Sequence, residues 1–170
     1  MTRKILRTID NISEKSGQAT KWLAVALVVI LTFEVLMRYA FNAPTTWAHL
    51  SSMMVSGAIV TLGLAYTQKH HGQIRIDIFY TKMTVRGKAL VDTLCTVFLL
   101  GPLLAAFIRV SGSWMWKSWA EGEIRTESYW YPPAGPFRTV FFIGFCLLAL
   151  QIVAQFVRDA HVLWKGKSYD

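Results

Sequence analysis

The stretch RYAFNAPTTW, from Arg38 to Trp47, decides how this chain folds, because it separates two long apolar runs. Pro44 has no amide hydrogen to donate to a helix, and Asn42 tolerates turn geometry, so the chain can end a helix and reverse within a few residues. Trp47 suits the boundary between water and lipid. The stretch therefore predicts a tight connection between two membrane-spanning helices.

The composition on either side of this stretch is that of a membrane protein. Hydrophobic residues make up 54% of the 170 residues and charged residues only 16%. A spanning helix needs about 20 mostly apolar residues, and four windows qualify, at approximately 19–38, 47–67, 89–110 and 136–157. We predict an all-α integral membrane protein with four transmembrane helices, which forms a single membrane domain over residues 1–170.

The distribution of positive charge orients these helices. Most of the 18 Lys and Arg residues lie before the first span, between the second and third spans, and after the fourth. Because Lys and Arg accumulate on cytoplasmic segments, both termini are predicted to be cytoplasmic, with a surface segment over 1–18 and a tail over 158–170. This topology and anionic membrane lipids explain the net charge of +8, and no nucleic-acid partner is indicated.

Two segments are amphipathic without being long enough or apolar enough to span. In residues 1–18, Ile5, Ile9 and Ile12 recur at helical spacing among charged residues, which predicts a short helix on the cytoplasmic surface. Between spans two and three, Ile74, Ile76 and Ile78 alternate with polar residues. This second segment is predicted to lie along the inner membrane surface and to bind lipid headgroups.

The connection between spans three and four is rich in aromatic residues and proline. An aromatic belt of this kind anchors helices at the membrane interface. Pro136 fits the first turn of span four, where a missing amide hydrogen has no consequence. The belt comprises Trp114, Trp116, Trp119, Tyr129, Trp130 and Tyr131, and it is followed by Pro132, Pro133 and Pro136.

Glu34 lies in the outer half of span one, one helical turn before Arg38. A carboxylate four residues before an arginine is the favourable order for an ion pair on a helix, which predicts a structural pair near the outer interface. The alternative interpretation is a proton or cation site, because acids within membrane spans are candidates for function.

No pattern of residues indicates an enzyme, a cofactor or a metal site. The chain has no glycine-rich phosphate loop and no HExxH motif. Cys95 and Cys146 have no Cys or His at ligand spacing and are interpreted as small core residues. The membrane anchor of a redox enzyme remains an alternative class, which would require histidines facing each other across the helices to hold haem.

Several residues in the spans favour contact between helices. Ser52, Ser56 and Gly63 form a stripe of small residues on span two. Gly101 and Pro102 predict a bend in span three. Gln151 and Gln155, one turn apart in span four, are expected to bond to another helix.

Four short motifs, in order, resemble one family. They are RYAFNAPTTW, IRIDIFY (74–80), SWAEGE (118–123) and PPAGP (132–136). Together they are similar to the small membrane subunit, or Q subunit, of tripartite ATP-independent periplasmic (TRAP) transporters, and most of all to the subgroup named for mannitol or chloroaromatic compounds. The residues that match the family pattern are Arg38, Asn42, Pro44, Trp47, Arg75 and Asp77.

Two positions depart from that pattern. The family has an acidic residue near the top of span two, where this chain has Ala48, His49 and Leu50, and a Gly-His pair before the IRID-like stretch, where it has Gly72 and Gln73. No role of those acidic and histidine positions carries over.

The resemblance implies a subunit of a sodium-coupled uptake system in the bacterial inner membrane. In such systems a periplasmic substrate-binding protein delivers an organic acid to a large membrane subunit, and the small subunit resembles a fixed scaffold that braces the large one and helps to dock the binding protein. An autonomous small transporter is the alternative, with Glu34 as its proton-coupling carboxylate.

Overall fold

In the part of the chain that the structure describes, the fold consists of four long helices. The computed structural model describes residues 2–70, 84–126 and 129–165. Helix α1 is Thr2–Tyr39, α2 is Ala48–Lys69, and α4 is Ala134–Lys165. Helix α3 consists of an α-helical segment Val85–Cys95, a π-helical turn Thr96–Leu100 and a second α-helical segment Gly101–Glu121. All four helices are long and apolar enough to cross a membrane, which confirms the predicted fold class.

Helix α1 continues without a break from residue 2 to the end of the first predicted span. The separate short helix predicted for residues 1–18 is therefore wrong. Gly17, the one glycine in α1, lies beneath the ring of Tyr66 in α2, where a Cβ atom would come within 2.3 Å of that ring. Packing on α2 thus holds the helix together at the position where its sequence is weakest. The location of residues 2–18 at the membrane surface stays a prediction.

Helices α2 and α4 run parallel and approach each other closely at two glycines. The Cβ position of Gly57 in α2 lies 2.9 Å from the ring of Phe141, and that of Gly144 in α4 lies 2.8 Å from the backbone oxygen of Thr61. The N-termini of α2 and α4 therefore lie at the same end of the protein. We call it the junction end; it contains the two connections at residues 40–47 and 122–133.

Helices α1 and α3 flank this central pair. Helix α1 packs antiparallel on α2 and touches α4 near its own N-terminus, whereas α3 packs antiparallel on α4. Phe107 of α3 stacks on Phe145 of α4 with ring centroids 5.2 Å apart. The main contacts thus give the packing order α1–α2–α4–α3, which leaves wide apolar faces on the two outer helices.

A π-helical turn directly precedes Gly101 and Pro102, where the sequence predicts a bend. Pro102 has no amide hydrogen, and its ring would collide with the carbonyl one turn earlier in a regular α-helix. The amide of Gly101 instead donates to the oxygen of Thr96, five residues back. The wider turn relieves the collision without ending the helix.

The interpretation of Cys95 as a core residue is wrong, because Cys95 is exposed on the surface of α3. Ser56 is also exposed, and the close approach of α2 to α4 uses Gly57 and Thr61 instead. Contact of Ser56 with a helix of another subunit stays a prediction. Gly63 does face another helix, with its Cβ position 3.9 Å from Thr20 of α1.

A buried polar cluster joins α1 to α4 at the end opposite the junction. Gln151 has no exposed surface. Its Oε1 accepts a hydrogen bond from Ser13 Oγ at 2.7 Å, its Nε2 donates to Asp10 Oδ1 at 3.1 Å, and Arg158 also donates to Asp10. We call Asp10, Ser13, Gln151 and Arg158 the terminal cluster. The predicted contact of Gln151 with another helix is confirmed.

Gln151→Leu is expected to lower the free energy of unfolding by about 1 to 3 kcal/mol, because it leaves the buried hydroxyl of Ser13 without an acceptor. The prediction of a contact with another helix is wrong for Gln155, which among the described residues donates to Asp159 of its own helix, at 3.3 Å. Gln155→Leu is therefore the matched control. Thermal unfolding of both variants in the same detergent measures the difference. Equal stability of the two variants would contradict the prediction.

Candidate functional site at the junction end

The first connection turns on Asn42. Asn42 has φ 51°, in the left-handed region that asparagine tolerates better than most residues. The turn lets the amide of Ala43 donate to the oxygen of Met37 in the last turn of α1, at 2.9 Å. Pro44 follows, where no amide hydrogen is needed. The two residues that predicted the chain reversal thus lie where the reversal occurs.

The carboxylate of Glu34 joins the end of α1 to this connection. Glu34 is only 7% exposed. Its Oε1 accepts from Arg38 Nε at 3.1 Å and from Arg38 Nη2 at 2.6 Å. Its Oε2 accepts from the amide of Thr45 at 3.1 Å and from the Thr45 hydroxyl. We call Glu34, Arg38 and Thr45 the junction cluster. The predicted ion pair is present, and the sequence analysis missed Thr45.

Trp47 connects the same region to the start of α2. Its ring lies 5.8 Å from the ring of Phe33 in α1, and its carbonyl accepts from the amide of Ser51, which opens α2. Trp47 is 36% exposed, so part of it packs on protein and part meets the surroundings. Aromatic and polar contacts together therefore fix the angle between α1 and α2.

The second connection is a short bridged loop. Helix α3 ends at Glu121 and is capped by Gly122, with φ 61°. Ile124 then forms an antiparallel bridge with Pro133. The oxygen of Pro132 accepts from the amide of Arg125 at 2.9 Å. Pro136 lies in the first turn of α4. Proline suits these positions because none of them needs an amide donor.

Side chains of α4 hold this loop against α3. Arg138 Nη2 donates to Glu123 at 2.5 Å, and its guanidinium lies 5.8 Å from the ring of Trp114. Trp119 Nε1 donates to Thr139 Oγ1 at 2.9 Å. The six aromatic residues of the predicted belt include five whose exposed fraction exceeds one half, as anchoring in an interface requires. They are Trp114, Trp116, Trp119, Tyr129 and Tyr131, and Trp130 is 46% exposed.

Arg75 and Asp77, together with the predicted inner-surface segment around them, lie outside the described residues. Just before that segment, Glu14 of α1 accepts from Lys69 Nζ at 2.6 Å and lies 3.2 Å from His70 Nε2. This contact ties the end of α2 to α1. In the part of the chain that the structure describes, no group of three or more His, Cys, Asp or Glu side chains could hold a metal ion.

These helices and connections define a multi-pass membrane protein whose polar groups at the junction end bond to one another. The chain matches the family described as tripartite ATP-independent periplasmic transporters, DctQ component, over residues 27–162. It therefore belongs to this family, and it is the small membrane component of a TRAP transporter in the bacterial inner membrane. No curated protein matches the chain.

This family membership confirms the resemblance to the Q subunit at the level of the family. A transporter component, rather than an enzyme, agrees with the prediction of no enzymatic activity. The subgroup named for mannitol or chloroaromatic compounds stays a prediction, because the match is to the DctQ family as a whole.

Proposed function

We propose that this chain acts as a fixed scaffold, which braces the large membrane subunit and helps to dock the periplasmic binding protein during sodium-coupled uptake of an organic acid. The observation that carries the proposal is the junction cluster. The carboxylate of Glu34 is occupied by Arg38 and Thr45, so these polar groups hold the backbone at the junction end instead of offering a site for a solute.

The unequal burial of the helices supports a bracing role. Among the described residues of α3, the buried ones are Leu104, Ser111 and Ser118, whereas 22% of the residues in the most apolar window of α4 are buried. Large side chains of α3 face outward instead, among them Phe98, Leu99 and Leu103. A second membrane subunit could pack on this apolar face of α3, which the contacts of α3 with α4 hold in place.

The alternative, an autonomous proton-coupled transporter, assigns Glu34 to the coupling step. Such a carboxylate must release and rebind its proton during the cycle. A carboxylate that accepts hydrogen bonds from a guanidinium, a backbone amide and a hydroxyl is stabilised in its charged form. Transport by this chain alone in proteoliposomes would favour the alternative.

The test is a tagged purification from the native membrane in mild detergent, followed by mass spectrometry of the bound proteins. We expect a large polytopic subunit in stoichiometric amount. A homo-oligomer without a partner would contradict the proposal.

In the same system, Arg38→Ala and Trp47→Ala are expected to lower recovery of the large subunit or the rate of uptake severalfold. Substrate capture by the soluble binding protein should not change. Lys21→Ala is the matched control, because Lys21 is a basic residue exposed on α1, more than three helical turns from the junction cluster. Unchanged uptake with both Arg38 and Trp47 replaced would count against the scaffold.

A further inference from the structure

A cavity of about 500 Å³ opens between α3, α4 and the second connection. Its inner part is apolar, and its mouth at the junction end is charged. The inner part is lined by Phe107, Val110, Phe141 and Phe145, and the mouth by Glu123, Arg125 and Arg138.

The polarity of the cavity follows the polarity of a lipid leaflet. Arg138 lies in the second turn of α4, and Phe145 lies seven residues further, about 10 Å along the helix axis. The cavity thus changes from guanidinium groups to aromatic rings over the distance that separates a headgroup from the upper part of its acyl chains. The stacked rings of Phe107 and Phe145 lie at its deep end.

The mouth of the cavity offers guanidinium donors to an anion. Two guanidinium groups and one carboxylate are present among the described residues that line the cavity. Arg138 bonds to Glu123, and the guanidinium of Arg125 lies 5.1 Å from the ring of Phe137. Both guanidinium groups are held in place by these contacts. Guanidinium matches the geometry of phosphate oxygens and can donate two hydrogen bonds to one phosphate.

The volume of the cavity favours a slender ligand over a helix of a partner protein. A 10 Å length of α-helix with its side chains is about 10 to 12 Å wide and occupies on the order of 800 to 1,100 Å³, which is more than the cavity of about 500 Å³. An acyl chain is narrower than a helix.

We propose that this cavity binds an anionic diacyl phospholipid, with its phosphate at Arg125 and Arg138 and one acyl chain along Phe107, Val110, Phe141 and Phe145. The bound lipid fills the gap between α3 and α4 near the junction end. It therefore stabilises the attachment of α3, which packs on the rest of the protein mainly through α4.

The test is native mass spectrometry of the full chain, released from nanodiscs that contain equal amounts of phosphatidylglycerol and phosphatidylethanolamine. We expect preferential retention of phosphatidylglycerol. Arg125→Gln and Arg138→Gln should each weaken this retention about fivefold, the effect of one arginine near an anionic headgroup. Arg109→Gln, which removes an arginine of α3 that does not line the cavity, should leave it unchanged.

A variant in the apolar part of the cavity tests the acyl-chain contact separately from the headgroup contact. Val110 is 47% exposed, so Val110→Trp narrows the cavity without entering a packed core. We expect it to reduce retention of both lipids while the arginines remain. If Arg138→Gln fails to fold because it loses the ion pair with Glu123, retention of phosphatidylglycerol by Arg125→Gln tests the headgroup contact. Equal retention of the two lipids by the unmodified chain, no effect of Arg125→Gln, or displacement of the lipid by inorganic phosphate alone would overturn the proposal.

Discussion

Replacing Gly144 by alanine is expected to lower the free energy of unfolding by about 1 to 3 kcal/mol, the usual effect of inserting a methyl group into a tight contact. The added Cβ would lie 2.8 Å from both the Cβ and the backbone oxygen of Thr61. A backbone oxygen cannot rotate away as a side chain can, so α2 and α4 must separate. Because helices in membranes associate through close packing, separation at this point weakens the centre of the protein.

The matched control is Gly63→Ala, on the same helix as Thr61. Its Cβ would meet only Thr20, at the ordinary contact distance of 3.9 Å. Alanine is also the better helix former, so this variant should be as stable as the unmodified chain or slightly more stable. Thermal unfolding in detergent distinguishes the two variants, and Gly144→Val should be worse than Gly144→Ala. A Gly144→Ala protein that unfolds at the temperature of Gly63→Ala would refute the close contact.

Replacing Glu34 by leucine is expected to abolish the fixed geometry of the first connection and to lower uptake by the assembled transporter severalfold. The substitution removes the acceptor of the Thr45 amide and hydroxyl, and it leaves Arg38 without its carboxylate. The turn at Asn42 then keeps its backbone hydrogen bonds but loses the polar link between Glu34 and Thr45. Limited proteolysis of residues 40–47 measures the loosening, and uptake in whole cells measures its effect.

Glu121→Leu is the control for Glu34→Leu, because Glu121 also forms an (i, i+4) pair, with Lys117 at 3.9 Å. That pair is exposed on both sides, and exposed ion pairs contribute little. We expect normal uptake and an unchanged cleavage pattern. Glu34→Gln should be intermediate, since the amide keeps one acceptor oxygen. Normal uptake by Glu34→Leu would show that the junction cluster is dispensable.

The sequence predicted those features that depend on neighbours along the chain. The four helices follow from apolar windows of sufficient length, and the Glu34–Arg38 pair follows from helical spacing. Asn42 and Pro44 marked the chain reversal because their own backbone preferences determine it. Each of these signals is contained within about 20 consecutive residues.

Features that depend on distant residues were missed. Thr45 bonds to Glu34 across a reversal whose geometry no local pattern specifies. Gly144 is a single glycine in an apolar run, and only the position of Thr61 on another helix makes it critical. Asp10 lies more than 140 positions from its partners in α4. Sequence spacing gives no measure of such contacts, because they are created by the packing of helices.

The unbroken length of α1 sets a relation between the protein and the thickness of its bilayer. Asp10 in the terminal cluster and Glu34 in the junction cluster are 24 positions apart, or about 36 Å along the helix. The hydrocarbon core of a bilayer is about 30 Å thick, so the two clusters are far enough apart to lie at its two boundaries. A thicker bilayer would draw one cluster into hydrocarbon, and a thinner one would be matched by tilt. Hydrophobic mismatch would thus act at both ends of α1, on the terminal cluster and on the junction cluster.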